Sequence, residues 1–100
     1  MHVSGTGPVG ADEADAETQT RHTLEIIRAA LERAGARMED VVRTRIYLTH
    51  VEDWQTVGRV HGEFFGTIRP AATMVVVAKL LTPSWRVEIE ADAIIASPEK

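Results

Sequence analysis

Leu24, Ile27, Leu31 and Ala34 recur at spacings of three and four, with Glu25, Arg28, Glu32 and Arg33 between them. That stripe predicts an amphipathic helix over residues 15–34, capped by Asp12 or Asp15 and terminated at Gly35. At residues 41–49 the period changes to two. Val42, Thr44, Ile46 and Leu48 share one side, and Arg43, Arg45 and Tyr47 share the other, which predicts a strand with one wetter face. A second helix is expected from Glu52 or Asp53, with Trp54, Val57, Val60, His61, Phe64 and Phe65 on its apolar side and Gly66 ending it. Thr67-Ile68-Arg69-Pro70 then reads as extended chain, because proline disfavours helix at the residue before it.

The last third predicts two strands, Thr73 to Leu81 and Arg86 to Ile95, joined as a hairpin through Thr82-Pro83-Ser84-Trp85. In the second, Val87, Ile89, Ala91 and Ala93 alternate with Glu88, Glu90 and Asp92. A short strand at residues 2–4 and turn chemistry over residues 5–10 open the chain. The order strand, helix, strand, helix, strand, strand predicts an α+β fold with both helices on one face of a mixed sheet. It is a poor match to the ferredoxin-like order. One domain is expected over residues 1–96, with 97–100 as a tail.

Met74, Val75, Val76 and Val77 are apolar at successive positions. A strand without a wet side is usually buried on both faces. The helices cover one face only, so the other is expected to be covered by a further copy of the chain rather than by a local loop.

Composition narrows the function. Cysteine is absent, which removes disulfides, thiolate metal sites and a cysteine nucleophile, and suits a reducing compartment. The net charge is −4 and the basic residues form no run, so a nucleic-acid partner is disfavoured. No membrane-spanning stretch and no signal peptide are read, and the expected location is the cytoplasm. His2, His22, His50 and His61 show no ligand spacing, so no metal and no cofactor is expected, and His61 is read as core or boundary packing. Gly5-Thr6-Gly7 lacks the remainder of a phosphate-binding loop and is read as a turn. Glu88, Glu90 and Asp92 suit either a solvated strand face or a cluster tuned for acid–base work.

Five segments in order, VSGTGP at 3–8, QTRHTLEIIRAALERAG at 19–35, DVVRTRIYLTHVEDW at 40–54, EFFGTIRPAAT at 63–73 and VEIEADAI at 87–94, together resemble the RidA/YjgF family of small trimeric proteins. The resemblance implies a subunit like that of the trimeric chorismate mutases, a homotrimer, and small-molecule clefts each lined by two subunits. It also implies hydrolysis of reactive imines or enamines to a keto acid and ammonia, the activity of a deaminase-type hydrolase. That chemistry needs a cation for the substrate carboxylate and a positioned acid–base group for water.

By the same resemblance, Glu88 is the catalytic, water-positioning carboxylate, with one residue inserted ahead of it. Ser4 and Gly5 line the cleft, and Met74 stands where the family often has cysteine. The family's carboxylate-binding arginine falls on Ala72 of Pro70-Ala71-Ala72-Thr73, and no lysine near it in sequence takes its place. An alanine makes no bidentate contact, so poor activity on imines of ordinary amino acids is implied. Backbone N–H groups around Ala72, Thr73 and Met74, with Ser4, are then expected to hold the substrate. Arg69 is a candidate substitute anion holder, although a surface arginine or an intersubunit ion pair is the plainer reading. Trp85 either closes over a ligand or packs against a neighbouring subunit. Relative to the family the N-terminal strand reads as short or missing, which would leave an unpaired sheet edge. A non-catalytic metabolite binder or sensor is the competing function. An endoribonuclease-like activity, also attributed to the family, is disfavoured by the charge.

Overall fold

The computed structural model describes residues 1–95, so the expected tail at 97–100 lies outside the described residues. Four strands and two helices follow in the order β1 (His2–Thr6), α1 (Ala16–Arg33), β2 (Val41–Leu48), α2 (Trp54–Phe65), β3 (Ala71–Val76) and β4 (Val87–Ala93). Single turns of 3-10 helix at Met38–Asp40 and Val51–Asp53 lead into β2 and α2. Asp15 caps α1, its Oδ1 accepting from the Thr18 N–H at 2.9 Å, and Gly35 leaves the helix at φ 86°.

The strands form one mixed sheet in the order β1-β4-β2-β3. β2 pairs parallel with β3 and antiparallel with β4. A parallel neighbour needs a crossover, and α2 supplies it between β2 and β3. Both helices pack on the same face, burying Leu24, Ile27, Leu31, Val57, Val60 and Phe65 against Ile46, Leu48, Val87, Ile89, Ala91 and Ala93. Glu17, Arg21, Arg59 and Glu63 join the helices outside this core through exposed ion pairs of 2.9 to 3.3 Å, which contribute little to stability. The α+β arrangement, with two helices on one face of a mixed sheet, is the one expected.

Three local expectations are corrected. Val42 lies outside the core at 44% exposure, and Val41 is buried in its place at 3%. The β2–β4 register slips between Val41 and Arg43, and one extra residue in a strand reverses its alternation. The valine-rich strand stops at Val76 rather than Leu81. Finally, β3 and β4 are not a hairpin, because β2 lies between them. The parallel pairing that follows the crossover helix puts β3 on the outer edge, and residues 77–86 must span the end of β2 to reach β4. Leu48 O accepts from the Val77 N–H at 2.7 Å, and the Thr49 N–H donates to Arg86 O at 3.2 Å.

The expected bare apolar surface is present on β3. Val75 and Val76 are 42% and 52% exposed. These two valines point to opposite faces, and among the described residues β3 is an edge strand with no neighbour beyond it.

His61 is half-buried on α2, its Nε2 2.9 Å from the hydroxyl of buried Thr44 and its ring tilted against Phe65. Burial lowers its pKa from the usual 6.5. The unfolded chain therefore takes up this proton before the folded one does, and His61 makes the fold less stable as pH falls from about 6.5 through the lower folded value. Urea midpoints measured between pH 7 and pH 5 are expected to fall in the wild type and to flatten in His61→Gln. Equal slopes would contradict this assignment.

Candidate functional site

The exposed face of the sheet carries a row of charges where β2 and β4 pair. Arg45 lies opposite Glu90, and Tyr47 lies opposite Glu88. The Arg45 Nε and the Tyr47 hydroxyl both donate to Glu90 Oε1 at 2.8 Å, and these two bonds hold the Glu90 carboxyl below the usual carboxylate range. Asp92 bonds His2 Nδ1 at 2.8 Å and Arg45 Nη2 at 3.4 Å, and its pKa is lowered, chiefly by the His2 bond. Two of the three carboxylates on β4 are thus occupied by neighbouring donors. The Glu88 side chain has no hydrogen-bond or ion-pair partner among the described residues.

A local irregularity explains where Glu88 points. β1 pairs with β4 through Val3 opposite Ala91 and Thr6 opposite Ile89, so Ser4 and Gly5 together face the single residue Glu90. That extra residue is a bulge. The Thr6 hydroxyl closes the turn by donating to Ser4 O at 2.9 Å. The bulge presses Gly5 against Glu88, and a Cβ at this position would overlap Glu88 Oε2. Glycine leaves room for the carboxylate in this position, whereas a larger residue would displace the Glu88 side chain, which links the Ser4-Gly5 pair physically to this carboxylate.

Beyond Glu88 the surface falls into a crevice of about 300 Å³, lined by Tyr47, Val77, Lys79, Leu80, Leu81, Glu88 and Glu90. Its wall is the connection from β3 to β4. Gln19, fully buried on α1, fastens that connection: its Nε2 donates to Ser84 O at 3.0 Å and its Oε1 accepts from the Arg86 N–H at 2.7 Å. Trp85 lies against Gly7, where a Cβ would overlap its ring, and its Nε1 donates to Asp12 Oδ1 at 3.0 Å. Within its own chain Trp85 is half-buried against the N-terminal segment.

The residues named from sequence therefore fall into two groups. Ser4, Gly5 and Glu88 come together. Ala72, Thr73 and Met74 lie on β3, opposite Thr44, Arg45 and Ile46 of β2, and two strands away from β4. Met74 packs towards the core, its Cε about 4.0 Å from where a Gly58 side chain would begin. Arg69 is exposed in the loop before β3 at φ 56°, a left-handed conformation uncommon for arginine. None of these four lines the crevice.

Tyr47, Lys79, Leu80 and Leu81 were missed by the sequence reading. Tyr47 was detectable, because its alternation with Ile46 and Leu48 places it on the charged face. Lys79 was hidden by the strand expected over 73–81. Among the described residues, no three potential metal ligands cluster and no helix is long and apolar enough to cross a membrane.

Comparison with known proteins places this geometry. Residues 1–95 match the family described as Endoribonuclease L-PSP. The chain is 38% identical over 85 residues to a RutC family protein of Pyrococcus abyssi, covering 80% of this chain and 67% of that protein. It is 38% identical over 81 residues to a RutC family protein of Pyrococcus horikoshii, covering 81% of this chain and 64% of that one. The chain thus spans about two thirds of the length of these relatives. Among solved structures, it resembles a Mycobacterium tuberculosis member of the YjgF/YER057c/UK114 family at 49% identity and TM-score 0.88, over 94% of this chain and 77% of that one. TdcF of E. coli, solved with bound serine, aligns at 30% identity and TM-score 0.88, over 95% of this chain and 80% of that one. With nearly its whole described length matched, the chain belongs to the Endoribonuclease L-PSP family, the RidA/YjgF group that its five segments resemble.

Proposed function

We propose that this chain forms a homotrimer that binds a small metabolite in clefts between subunits and hydrolyses an imine or enamine group there, with Glu88 directing the water. The observation that carries the reading is the state of Glu88: a carboxylate seated on the Gly5 bulge at the wall of a crevice, while Glu90 and Asp92 beside it are held by Arg45, Tyr47 and His2. A carboxylate with open lone pairs is suited to accept a proton from water.

The reaction needs no redox partner. The water oxygen bonds to the carbon of the protonated imine as Glu88 takes one proton from the water, and the C=N electron pair moves to nitrogen, giving a neutral carbinolamine. Glu88 returns that proton to the nitrogen, the C–N bond breaks as the hydroxyl oxygen forms C=O, and the hydroxyl proton passes to the Glu88 carboxylate and on to the departing ammonia, so that a carbonyl compound and ammonium leave. An enamine enters the same sequence after protonation at carbon.

The separation of the two residue groups supports a composite site. β2 lies between β3 and β4, and Ala72, Thr73 and Met74 do not line the Glu88 crevice of their own chain, so another copy is the natural source of these residues for that crevice. The exposed valines of β3 supply an apolar surface for that contact. The small amino acid bound to TdcF is a ligand of the size proposed here. With alanine at position 72, turnover of ordinary amino-acid imines is expected to be slower than in an arginine-bearing relative.

The test uses 2-iminopropionate generated in situ. Wild-type protein is expected to accelerate ammonia release, and Glu88→Ala to abolish that acceleration. A protein that binds the ligand equally well with and without Glu88 and accelerates nothing would be a binder, and the hydrolytic reading would fall.

A further inference from the structure

We infer that Lys79 holds the anionic end of the ligand whose reacting end faces Glu88, a role distinct from anything Ala72 can perform; the inference rests on the proposed site and assigns its ligand-binding cation. The crevice beside Glu88 has one cationic lining residue, Lys79. Of the other cations close to the exposed face, Arg43 makes no ion pair among the described residues but does not line the crevice, and two are engaged. Arg45 is held by Glu90 and Asp92, and Arg86 donates from Nε to Asp53 Oδ2 at 2.8 Å. Lys79 makes no ion pair among the described residues.

The register of β3 shows why this cation does not come from the family position in the same chain. Ala72 stands opposite Thr44, whose side chain is buried beneath the helices, whereas the crevice begins at the level of Tyr47 on the other face. Lys79 lies beyond the end of β3, in the connection that Gln19 fastens through Ser84 and Arg86. Its Cα is carried by a segment tied down at its far end, while the side chain stays free to reach a ligand.

The composition of the crevice selects a ligand class. A free carboxylate and a free ammonium share one concavity, with Val77, Leu80 and Leu81 supplying apolar surface. This arrangement complements a short zwitterion, a protonated imine or amine carrying a carboxylate and a small apolar side chain. Lysine presents a compact charge without the planar fork of arginine, so it fixes the carboxylate less rigidly and tolerates more variation in its position.

The experiment is a titration of the assembled protein with 2-oxobutyrate, a stable carboxylate, followed by amide chemical shifts, alongside turnover of 2-iminopropionate. Lys79→Met is expected to weaken 2-oxobutyrate binding by about tenfold or more, and Lys79→Arg to restore it to within a few-fold. In turnover, Lys79→Met is expected to raise KM while kcat stays within about twofold, the sign of lost binding common to ground and transition states. Lys79 is exposed, so both variants are expected to unfold at the wild-type urea midpoint. Unchanged affinity in Lys79→Met, or no binding of 2-oxobutyrate by the wild type, would overturn the assignment. Lysine-dependent binding with no turnover of 2-iminopropionate would leave Lys79 in place and remove the hydrolytic reading instead.

Discussion

Replacing Gln19 with leucine is expected to lower the unfolding free energy by about 3 kcal/mol, the scale of several buried polar groups losing their partners at once. Leucine is close to glutamine in volume, so the substitution removes hydrogen bonds with little change in packing. Gln19 is fully buried, and its amide is satisfied by four backbone groups. Nε2 donates to Asp12 O and Ala14 O at 3.1 Å and to Ser84 O at 3.0 Å, and Oε1 accepts from the Arg86 N–H at 2.7 Å. One side chain thereby clamps two loops that the sheet leaves unsupported. The urea midpoint should fall while the denaturant slope stays constant, and the Trp85 environment should loosen with it. A loss below about 1 kcal/mol would mean that water or a rearranged backbone replaces these bonds.

The second large effect is on catalysis. Glu88→Gln is expected to reduce kcat for 2-iminopropionate at least about a hundredfold, the usual scale for losing a positioned general base. Glutamine keeps the shape beside Gly5 but takes no proton from water. The fold should be indifferent, because Glu88 makes no hydrogen bond or ion pair among the described residues whose loss would cost stability. Gly5→Ala reaches the same end from the other side: its Cβ would occupy the space of the Glu88 carboxylate and push it off the bulge. If both variants retain wild-type turnover, Glu88 has no part in the chemistry.

The sequence made the order of elements and the helix stripes legible because Leu24, Ile27, Leu31, Val57 and Val60 bury one face of each helix, and periodicity records that requirement directly. Sheet topology was less accessible. The adjacency of the last two strands suggested a hairpin, whereas the parallel pairing of β3 with β2 is a long-range choice that no local pattern encodes. The bulge at Val41–Arg43 misled the alternation for the same reason.

The site divides along similar lines. Glu88, Ser4 and Gly5 were named from a family resemblance, and the physical link between them, a bulge that places glycine under a carboxylate, appears only when β1 pairs with β4. Lys79 and Tyr47 enter the crevice through the path of the connecting segment and the β2–β4 register, which are tertiary facts. Ala72, Thr73 and Met74 of β3 were expected in the same cleft, yet within one chain β2 separates them from β4 and none of them lines the crevice.

That separation makes oligomerisation the claim on which the functional account depends. β3 leaves Val75 and Val76 exposed, and Leu81 on the adjoining connection is 101% exposed relative to a free residue. Burying such surface against an identical copy would cover the apolar patch and complete the crevice in one step. Sedimentation velocity at micromolar concentration tests this most directly. The account predicts a single species of three chain masses; a folded species of one chain mass would contradict it, because the two halves of the site would then never meet.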